Sequence, residues 1–466
     1  MAEDPTLKAH RRTVVADAER SRLAQAGGLS IDARRTRPRY FDGRFLAARD
    51  LTGDQLYVLA RQADLARAGG WGVVSGLSVR PGARAIEVTV GSGLGVTPGG
   101  ETVVLPSEVT VDLIGLRQSL QLDAHLGLRS RRTGASRLRT GAFVLALRPV
   151  EYTANPRQGY PTSIDGERRT EDHDIVEATA LTLVPWPTAH AGTPDDVRKL
   201  LAREIFVEQT ARGLAANVLP IAMVFLDGRS VVWIDEHLVR RPVGAEQEDV
   251  LGLGLISRAV RMAHVRQYGE HLRRVLASAH HGRFAAAEHF EVLPPIGELP
   301  SDAIDTVRLS QGFFPPAIDV DVSLVPEDEL PLLLEESAML PPIDLRAPED
   351  ELASTSVLVL APVRREIFRQ LKNELETVRR PLVSRIGRVP VVRTPLLALG
   401  RLRLPALPGA TLPAPSTETS PWTHVLAYAA SQLGEGEHYW YVRRRNFNFR
   451  AEIEGFVVDI DVTNLG

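Results

Sequence analysis

The stretch Arg37-Pro-Arg-Tyr-Phe-Asp-Gly-Arg-Phe-Leu46 has the most distinctive residue pattern in the sequence. Four bulky apolar side chains surround the pair Asp42-Gly43, which marks a tight turn because glycine accepts a positive φ and aspartate hydrogen-bonds its own backbone. The pattern predicts a short hooked arm with an aromatic cluster. The four apolar residues are Tyr40, Phe41, Phe45 and Leu46.

A helix and a strand are predicted directly after the arm. Asp50 and Thr52 are candidate N-caps, and apolar residues then recur at helical spacing up to about Ala68. Gly69-Gly70 ends the helix, because glycine takes the left-handed conformation at a C-terminus without steric penalty. The next segment, Trp71 to Val79, is apolar and interrupted by glycines, which predicts a strand.

Antiparallel β-structure is predicted from residue 85 to residue 105, where short apolar segments alternate with glycine-rich turns. Gly91-Ser-Gly-Leu-Gly95 does not fit a phosphate-binding loop, because its third glycine comes too early and no helix follows. We interpret these glycines as turn residues. Further along, the segment 218–235 predicts a β-hairpin that turns at Asp227-Gly228.

Two motifs carry a family resemblance. Phe41-Asp-Gly-Arg-Phe-Leu46 and Gly70-Trp-Gly-Val-Val-Ser-Gly-Leu77 resemble proteins encoded with contractile, phage-tail-like injection systems, and distantly the opening of TssK, the type VI secretion baseplate subunit. The hairpin at 218–235 is similar to the strand-turn-strand that ends the TssK shoulder domain. The resemblance covers roughly residues 37–242. It implies a structural baseplate subunit, a trimer, and other baseplate or tail proteins as partners.

Length and composition restrict the classes of protein. A chain of 466 residues is too long for one hydrophobic core and predicts two to four domains. The formal net charge of −3 argues against a nucleic-acid-binding protein. The absence of cysteine excludes disulfides, thiolate nucleophiles and Cys-ligated metals. No secretory leader or apolar run of membrane-spanning length is found, which predicts synthesis in the cytoplasm and a particle that is cytoplasmic, membrane-docked or released.

The predicted fold class is α+β with several domains: an N-terminal antiparallel β-sandwich shoulder, a long-helix middle and a C-terminal strand-helix-strand module. We expect these domains to follow one another along the chain. The expected divisions are residues 1–36 as a flexible N-terminal arm, 37–245 as the shoulder, 246–290 as the helical middle, 291–350 as a Pro-Pro-rich strand and turn segment, and 351–466 as the C-terminal α+β module.

Three further local predictions follow from residue patterns. Residues 149–170 are rich in proline, arginine and aspartate, which predicts a loop. Residues 249–280 predict one long helix, and its length favours a bundle or an intersubunit helix. Pro331 is expected to prevent a clean helix in the acidic segment 327–336.

Candidate metal sites are weak. Glu171-Asp-His-Asp174 contains four possible ligands, but adjacent residues of an extended chain point to opposite sides, so a polar loop is the better interpretation. His264 and His271 lack the i, i+4 spacing of a zinc-binding helix, and we interpret them as surface or interface histidines. The five arginines between residues 129 and 139 fit a solvated loop better than a site for an acidic partner. No cofactor is predicted.

Aromatic and basic residues interleave near the end of the sequence, in His438-Tyr-Trp-Tyr-Val-Arg-Arg-Arg445. Such a pattern fits a ligand or partner patch that stacks on bases or sugars, and it equally fits a strand packed against an acidic neighbour. The second functional hypothesis, a carbohydrate- or surface-binding tail adaptor, depends on the first interpretation. Its candidate residues are Trp422, Tyr439, Trp440, Tyr441, Arg443, Arg444 and Arg445.

No catalytic residue is predicted. The Gly-x-Ser-x-Gly elbow, HExxH, the Walker A loop and the EF-hand loop are all missing from the sequence. A hydrolase that uses two carboxylates leaves no local signature, so it stands as a third hypothesis. The first hypothesis is a structural subunit that docks through its aromatic arm, with Tyr40, Phe41, Phe45, Leu46 and Trp71 as the docking residues.

Overall fold

The computed structural model describes fourteen separate parts of the chain. They are residues 15–113, 116, 140–159, 169–187, 192–209, 214–245, 256–278, 284–306, 308–373, 402–403, 420–432, 439–444, 448–453 and 456–461. These residues fall into two compact units. The first contains the described residues up to Gly69 together with Gly99–Glu101, and the second contains Gly70–Pro98 and the described residues from Thr102 onward. The domain divisions expected from the sequence, including the one at residue 245, stay predictions.

The first unit is helical. It contains α1 (Asp17–Gln25), a 3-10 turn (Ala33–Arg35) and α2 (Ala48–Ala68), which ends at Gly69 as the sequence predicts. The helix α2 begins before both predicted N-caps. Asp50 instead acts from the first turn, where its carboxylate accepts a hydrogen bond of 3.0 Å from the backbone N–H of Ala47.

Six short strands open the second unit. Successive strands β3 and β4 lie in different sheets, so the turn at Gly91-Ser-Gly93 leads from one sheet to the other rather than closing a hairpin. Two three-stranded antiparallel sheets result, ordered β1-β4-β5 and β2-β3-β6. The strands are β1 (Gly72–Gly76), β2 (Val79–Pro81), β3 (Glu87–Val90), β4 (Gly93–Val96), β5 (Thr102–Leu105) and β6 (Val109–Asp112).

A four-stranded antiparallel sheet follows, with the order β10-β9-β7-β8. Its strands are β7 (Thr140–Gln158), β8 (Thr170–Trp186), β9 (Leu219–Asp227) and β10 (Val231–Asp235). The predicted hairpin between β9 and β10 is confirmed. Gly228 has a φ of +92°, and Asp227 Oδ1 accepts backbone hydrogen bonds from Arg229 (2.8 Å) and Ser230 (2.7 Å).

The predicted loop at 149–170 is wrong over its described part. Strands β7 and β8 pair along their whole lengths, from Ala142 opposite Trp186 to Gln158 opposite Thr170, and form a long two-stranded ribbon. The ribbon tolerates Pro149 and Pro156 because β9 pairs with β7 only as far as Leu147. Beyond that residue no other described strand pairs with this edge of β7, and proline is tolerated where a strand edge has no partner.

Two helices cover the four-stranded sheet. Helix α3 (Pro194–Phe206) is capped by Thr193, whose hydroxyl accepts from the backbone N–H of Asp196 at 3.2 Å. Helix α4 (Arg258–Ser278) is the described part of the predicted long helix, and the side chains of Ala263 and Leu272 are buried within the chain. The structure therefore gives α4 an intramolecular packing role, whereas the sequence had favoured a bundle or an intersubunit helix.

A five-stranded sheet forms the other half of the second unit, with the order β12-β19-β17-β15-β18. Strands β15 and β17 pair in parallel, and the other neighbours are antiparallel. The parallel pair is joined through a 3-10 turn (Glu327–Glu329), α6 (Leu330–Ser337), β16 (Ile343–Asp344) and α7 (Glu349–Ala353). The strands are β12 (Ile296–Leu299), β15 (Asp319–Pro326), β17 (Ser356–Val363), β18 (Leu402–Arg403) and β19 (Tyr439–Arg444).

Shorter elements complete the second unit. Strand β11 pairs with β16, β13 with β14, and β20 with β21. The remaining bounds are α5 (Ala286–His289), β11 (Val292–Leu293), a 3-10 turn (Ser301–Ala303), β13 (Ile304–Asp305), β14 (Ser310–Gln311), α8 (residues 365–373), α9 (Ser420–Gln432), β20 (Asn448–Ile453) and β21 (Phe456–Asp461). Several antiparallel sheets combined with helices confirm the predicted multi-domain α+β class.

The expectation for Pro331 is wrong, because α6 forms as a helix and contains this proline. Pro331 is the second residue of α6, in the first turn. Backbone N–H groups in a first turn have no partner within the helix, so a proline there removes no hydrogen bond, and its fixed φ suits the helix. The effect of a proline thus depends on its position in the helix, which residue composition alone does not give.

A buried ionic network joins α3, α4 and the end of β10. Arg198 donates to Asp235 Oδ2 through Nε (2.9 Å) and Nη2 (2.7 Å), and Gln267 Nε2 donates to the same oxygen at 3.2 Å. Asp235 Oδ1 accepts from the backbone N–H groups of His237 (3.1 Å) and Leu238 (3.2 Å). The side chains of Arg198 and Asp235 are 2% and 0% exposed. The carboxylate is therefore satisfied from three separate segments.

The two histidines of α4 are buried rather than at the surface. His264 stacks on Phe206, with ring centroids 4.3 Å apart, and His271 packs edge-on against Phe290. Burial lowers the pKa of His264 to about 3, with a further contribution from Arg241, and burial lowers the pKa of His271 well below its usual value. Both imidazoles are therefore neutral in the folded protein at neutral pH.

The substitution D235A is expected to lower the free energy of unfolding by about 3–5 kcal/mol, because it leaves the Arg198 guanidinium buried without its counterion. Urea denaturation followed by circular dichroism measures this loss. The double variant R198M/D235L replaces both charges by apolar groups and is expected to lose less than D235A. As a control, D227A removes an exposed turn carboxylate and should cost about 1 kcal/mol. A similarly small loss for D235A would contradict a large contribution of the Arg198–Asp235 network to the free energy of unfolding.

The free energy of unfolding is expected to fall as the pH drops below about 6.5. In that range His264 and His271 bind protons in the unfolded chain but stay neutral in the folded protein, because burial lowers their pKa values. For His264 the loss continues towards its folded pKa of about 3. Urea titrations at pH 7.0, 6.0 and 5.0 should show a shallower pH dependence for H264F, by up to about 1.4 kcal/mol per pH unit. The exposed His173 supplies the control, H173Q. Identical pH slopes for wild type and H264F would refute this account.

Candidate docking surface

The predicted turn of the arm is present. Asp42 and Gly43 occupy the turn, Gly43 has a φ of +86°, and the backbone N–H of Arg44 donates to the carbonyl of Phe41 at 3.1 Å. A positive φ is unfavourable for residues with a β-carbon, so glycine fits this position. The turn directs the chain back towards the start of α2.

Polar contacts hold the base of the arm. Arg44 Nη2 donates to Asp50 Oδ1 at 2.7 Å, and Arg44 Nη1 donates to the carbonyl of Arg39. The Arg44 guanidinium also lies 6.0 Å from the centre of the Tyr40 ring. The hydrogen bond from Ala47 is the largest cause that lowers the pKa of Asp50, and Arg44 adds to it. One ion pair therefore ties the turn to the first turn of α2.

The apolar side chains of the arm face solvent. Phe45 is 96% exposed, Phe41 62%, Leu46 51% and Tyr40 46%. Full burial of one such side chain contributes about 1.5–3 kcal/mol, so leaving four of them exposed forgoes a large part of that stabilisation. An exposed apolar cluster of this kind is typical of a protein-interaction surface. The arm is thus held by polar contacts and has its apolar side chains available.

Trp71, the fifth predicted docking residue, belongs to the second unit. Its side chain is half-buried and packs against the hydrophobic core formed by the two three-stranded sheets and the inner strands of the four-stranded sheet. Trp71 therefore contributes to the fold of that unit. A docking role for the uncovered part of its indole stays a prediction.

Two of the predicted C-terminal patch residues, Tyr439 and Tyr441, lie inside the protein. Tyr439 and Tyr441 are both 0% exposed, and the hydroxyl of Tyr441 donates to the carbonyl of Pro294 at 3.1 Å. Burial raises the pKa of Tyr439 to about 12 and that of Tyr441 well above its usual value. Stacking on a sugar or a base requires an accessible ring face. The interpretation of these two residues as ligand contacts is therefore corrected in favour of a structural strand.

The neighbouring residues of β19 have structural partners. Arg443 Nη1 donates to the carbonyls of Pro341 (2.9 Å) and Pro342 (2.6 Å), and Arg444 Nη2 forms an ion pair with Asp321 at 3.0 Å. Trp440 is half-buried against an apolar cluster that includes β12 and β17 residues. The side chain of Trp422 and all of Arg445 lie outside the described residues, as do the arginines at 129–139. Arg443 thereby ties β19 to the carbonyls of a Pro-Pro pair.

The acidic residues at 171–174 serve the β7–β8 ribbon. The hydroxyl of Thr153 donates to Asp172, and Asn155 Nδ2 donates to Asp174. These are side-chain contacts between the two strands of the ribbon. In the parts of the chain that the structure describes, no group of three or more His, Asp or Glu side chains is arranged to hold a metal ion.

A cleft of about 550 Å³ lies between β2, β3, β10 and α4. Its acidic lining residues are engaged. Glu87 accepts from Arg84 Nε at 2.7 Å, Glu236 accepts from the backbone N–H of Val79, and Glu270 lies 3.0 Å from His237 Nε2. The bond to His237 is the main cause that lowers the pKa of Glu270. These carboxylates therefore hold neighbouring elements together.

Comparison with known proteins gives similarities of structure only. No protein-family model and no curated protein matches the sequence. A chain of the type VI secretion system TssK-TssF-TssG baseplate subcomplex is similar with 12% identity and a TM-score of 0.24, over 85% of this chain and 99% of that one.

Two further solved structures are similar at the same level. The crystal structure of TssK shows 12% identity and a TM-score of 0.26 over 86% of this chain and 70% of that one. A chain of the type VI secretion baseplate complex shows 14% identity and a TM-score of 0.23 over 85% and 99%. Similarity of this size does not establish a shared fold, so no residue role is transferred. No described helix has the length and hydropathy needed to cross a bilayer.

The substitution F45S is expected to leave the free energy of unfolding unchanged within about 0.5 kcal/mol, because Phe45 is almost fully exposed. Removing the ion pair with D50N should instead loosen the arm. Hydrogen–deuterium exchange is the measurement, and the amides around Phe41 to Arg44 should exchange faster in D50N than in wild type. Protection of these amides in D50N would contradict the pinning role of Asp50. A loss of stability in F45S would contradict the solvent-facing position of this ring.

Proposed function

We propose that this chain is a structural subunit in the baseplate of a contractile, phage-tail-like injection system. In this proposal the arm Tyr40–Leu46 docks on a neighbouring baseplate protein. The observation that carries the docking role is the combination of a fixed base, made by the Arg44–Asp50 ion pair, with four apolar side chains left in solvent. A preorganised apolar arm loses less conformational entropy on binding than a free segment does.

The class of assembly comes from the sequence resemblance of residues 37–242 to TssK-like chains. The same resemblance supports a homo-oligomer, with a trimer as the form it implies. The particle is made in the cytoplasm and is then retained there, docked at a membrane or released. Trp71 stays in the proposed docking set, because part of its indole is left uncovered by its own core.

The chemistry of the arm describes the groove that would receive it. Phe41 and Phe45 require an apolar pocket, which would supply most of the binding energy. Arg39 and Arg49 bracket the arm and form no ion pair with another residue in the described part of the chain. An acidic rim around the pocket would therefore complement them and speed association. The proposed receptor is an apolar groove with acidic edges on a second baseplate protein.

The test is incorporation into particles. Contractile particles are isolated from cells that make this protein, and mass spectrometry and gold-labelled antibody detect the chain at one end of the particle. The variant F41S/F45S is expected to fold normally and to be depleted from particles at least tenfold, because its anchors are lost. The control is V74S, which changes an exposed apolar residue on β1 to serine and leaves the arm intact.

Two outcomes would overturn the proposal. A chain that is missing from intact wild-type particles is not a baseplate subunit. If F41S/F45S and V74S are incorporated into particles equally well, the chain does not dock through its arm. The arm proposal then fails while the baseplate role stands.

A further inference from the structure

A second apolar surface lies on α2, beyond the arm. Leu51, Val58 and Leu65 recur at intervals of seven residues, so they form one stripe that drifts by about 20° per repeat along the helix. Their exposed fractions are 54%, 47% and 69%, and no residue of α2 is buried. The apolar stripe of this helix therefore faces solvent.

Another side of α2, about 100° round the helix from the stripe, contacts its own chain. Asp64 Oδ2 accepts from Arg35 Nη2 at 2.5 Å, and the guanidinium of Arg37 lies 5.5 Å from the centre of the Tyr57 ring. In the usual amphipathic helix the apolar side packs on the protein, whereas none of Leu51, Val58 and Leu65 is buried here. These contacts hold α2 and leave the stripe open to solvent.

The two flanks of the stripe carry different polar residues. With about 100° per residue, Asp54 and Arg61 lie on one flank and Gln55 and Gln62 on the other. Asp54 and Arg61 form no ion pair or side-chain hydrogen bond with any residue that the structure describes. One flank thus offers a carboxylate and a guanidinium, and the other offers two amides that both donate and accept.

We propose that α2 pairs with α2 of a second copy of this chain as an antiparallel helix pair whose two-fold axis passes near Val58. This operation places Leu51 of one copy opposite Leu65 of the other and brings the two Val58 side chains together. An isologous interface requires such self-complementarity, because the same surface meets itself. The apolar stripe meets this requirement over its whole length.

The charges also match under the same operation. The axis is perpendicular to both helices, so the Asp54 and Arg61 flanks of the two copies lie on the same side. Asp54 is four residues before Val58 and Arg61 is three residues after it. In an antiparallel pair the Asp54 of one copy and the Arg61 of the other are then separated by about 1.5 Å along the axis. Two ion pairs form on this flank, and the glutamines face each other on the other.

A parallel pair does not gain these contacts. With the two-fold axis parallel to the helices, the Asp54–Arg61 flank of one copy lies against the Gln55–Gln62 flank of the other. No intermolecular ion pair forms in that arrangement. The charge pattern therefore selects the antiparallel pair and a second copy of this chain as the occupant.

The purified full-length chain is tested by sedimentation equilibrium. Wild type is expected to reach twice the mass of V58D in the same concentration range, whatever oligomer V58D itself forms. D54R or R61D alone turns two attractions into two repulsions and should weaken dimerisation about tenfold, whereas D54R/R61D restores the pairs and should return within about threefold of wild type. The control R49D makes the same charge change on α2 away from the stripe and should have no effect. Circular dichroism verifies that each variant keeps its helix content.

Cysteine cross-linking tests the direction of the pair, because the natural chain has no cysteine. Under mild oxidation V58C should form a covalent dimer. L51C alone should not, whereas a mixture of L51C and L65C should. Efficient cross-linking of L51C alone would show a parallel pair and overturn the proposal.

Two other outcomes would also overturn it: a wild type with the same mass as V58D at all concentrations, and a double charge swap that fails to recover. A stripe that binds only a different protein falls under the first of these. The inference does not rest on arm docking. Sedimentation measures self-association of the purified chain, and particle incorporation measures docking through Phe41 and Phe45. Either proposal can therefore fail while the other stands.

Discussion

The arrangement of helices in the second unit depends on the hydrogen bonds to the buried carboxylate of Asp235. It accepts hydrogen bonds from Arg198 of α3, from Gln267 of α4 and from the backbone after β10. A buried charge is tolerated only where its donors are in place, so the network specifies one arrangement of these elements. Helix α4 also contributes Tyr268 and Leu272 to the core of the five-stranded sheet. The four-stranded and five-stranded sheets are thereby positioned through one helix.

The first unit follows the opposite principle. Its described residues are held by partly exposed ion pairs, such as Arg44 with Asp50 and Arg35 with Asp64, rather than by a buried apolar core. Such pairs fix the arm and the 3-10 turn on α2, while they add little to the free energy of unfolding. Its apolar surface is left for other molecules to cover. This difference between a well-packed second unit and a sparsely packed first unit with exposed apolar side chains is the physical basis of the proposed assembly role.

Local signals predicted the parts of the fold that local energetics determine. The Asp42-Gly43 turn, the glycine end of α2 and the β9–β10 hairpin depend on residues close in sequence, so residue patterns were enough to predict them. The β7–β8 ribbon was missed because its prolines are tolerated only at an edge that no third strand occupies. The burial of Tyr441 was missed for a related reason: its neighbours, Gly297 and Val359, are distant in sequence. The arm and its turn could be predicted from local residues, but the Arg44–Asp50 ion pair that holds them could not.

The five-stranded sheet has a consequence for how the chain is made. Strand β19 lies between β12 and β17, yet both of those strands precede it by many residues. During translation the facing edges of β12 and β17 have unpaired backbone groups until residues 439–444 have left the ribosome. Open edges flanked by buried residues such as Val357 and Val359 are sites of wrong pairing between nascent chains. The unit therefore completes its core only after residues 439–444 have been synthesised, and holdase chaperones have a defined surface to guard until then.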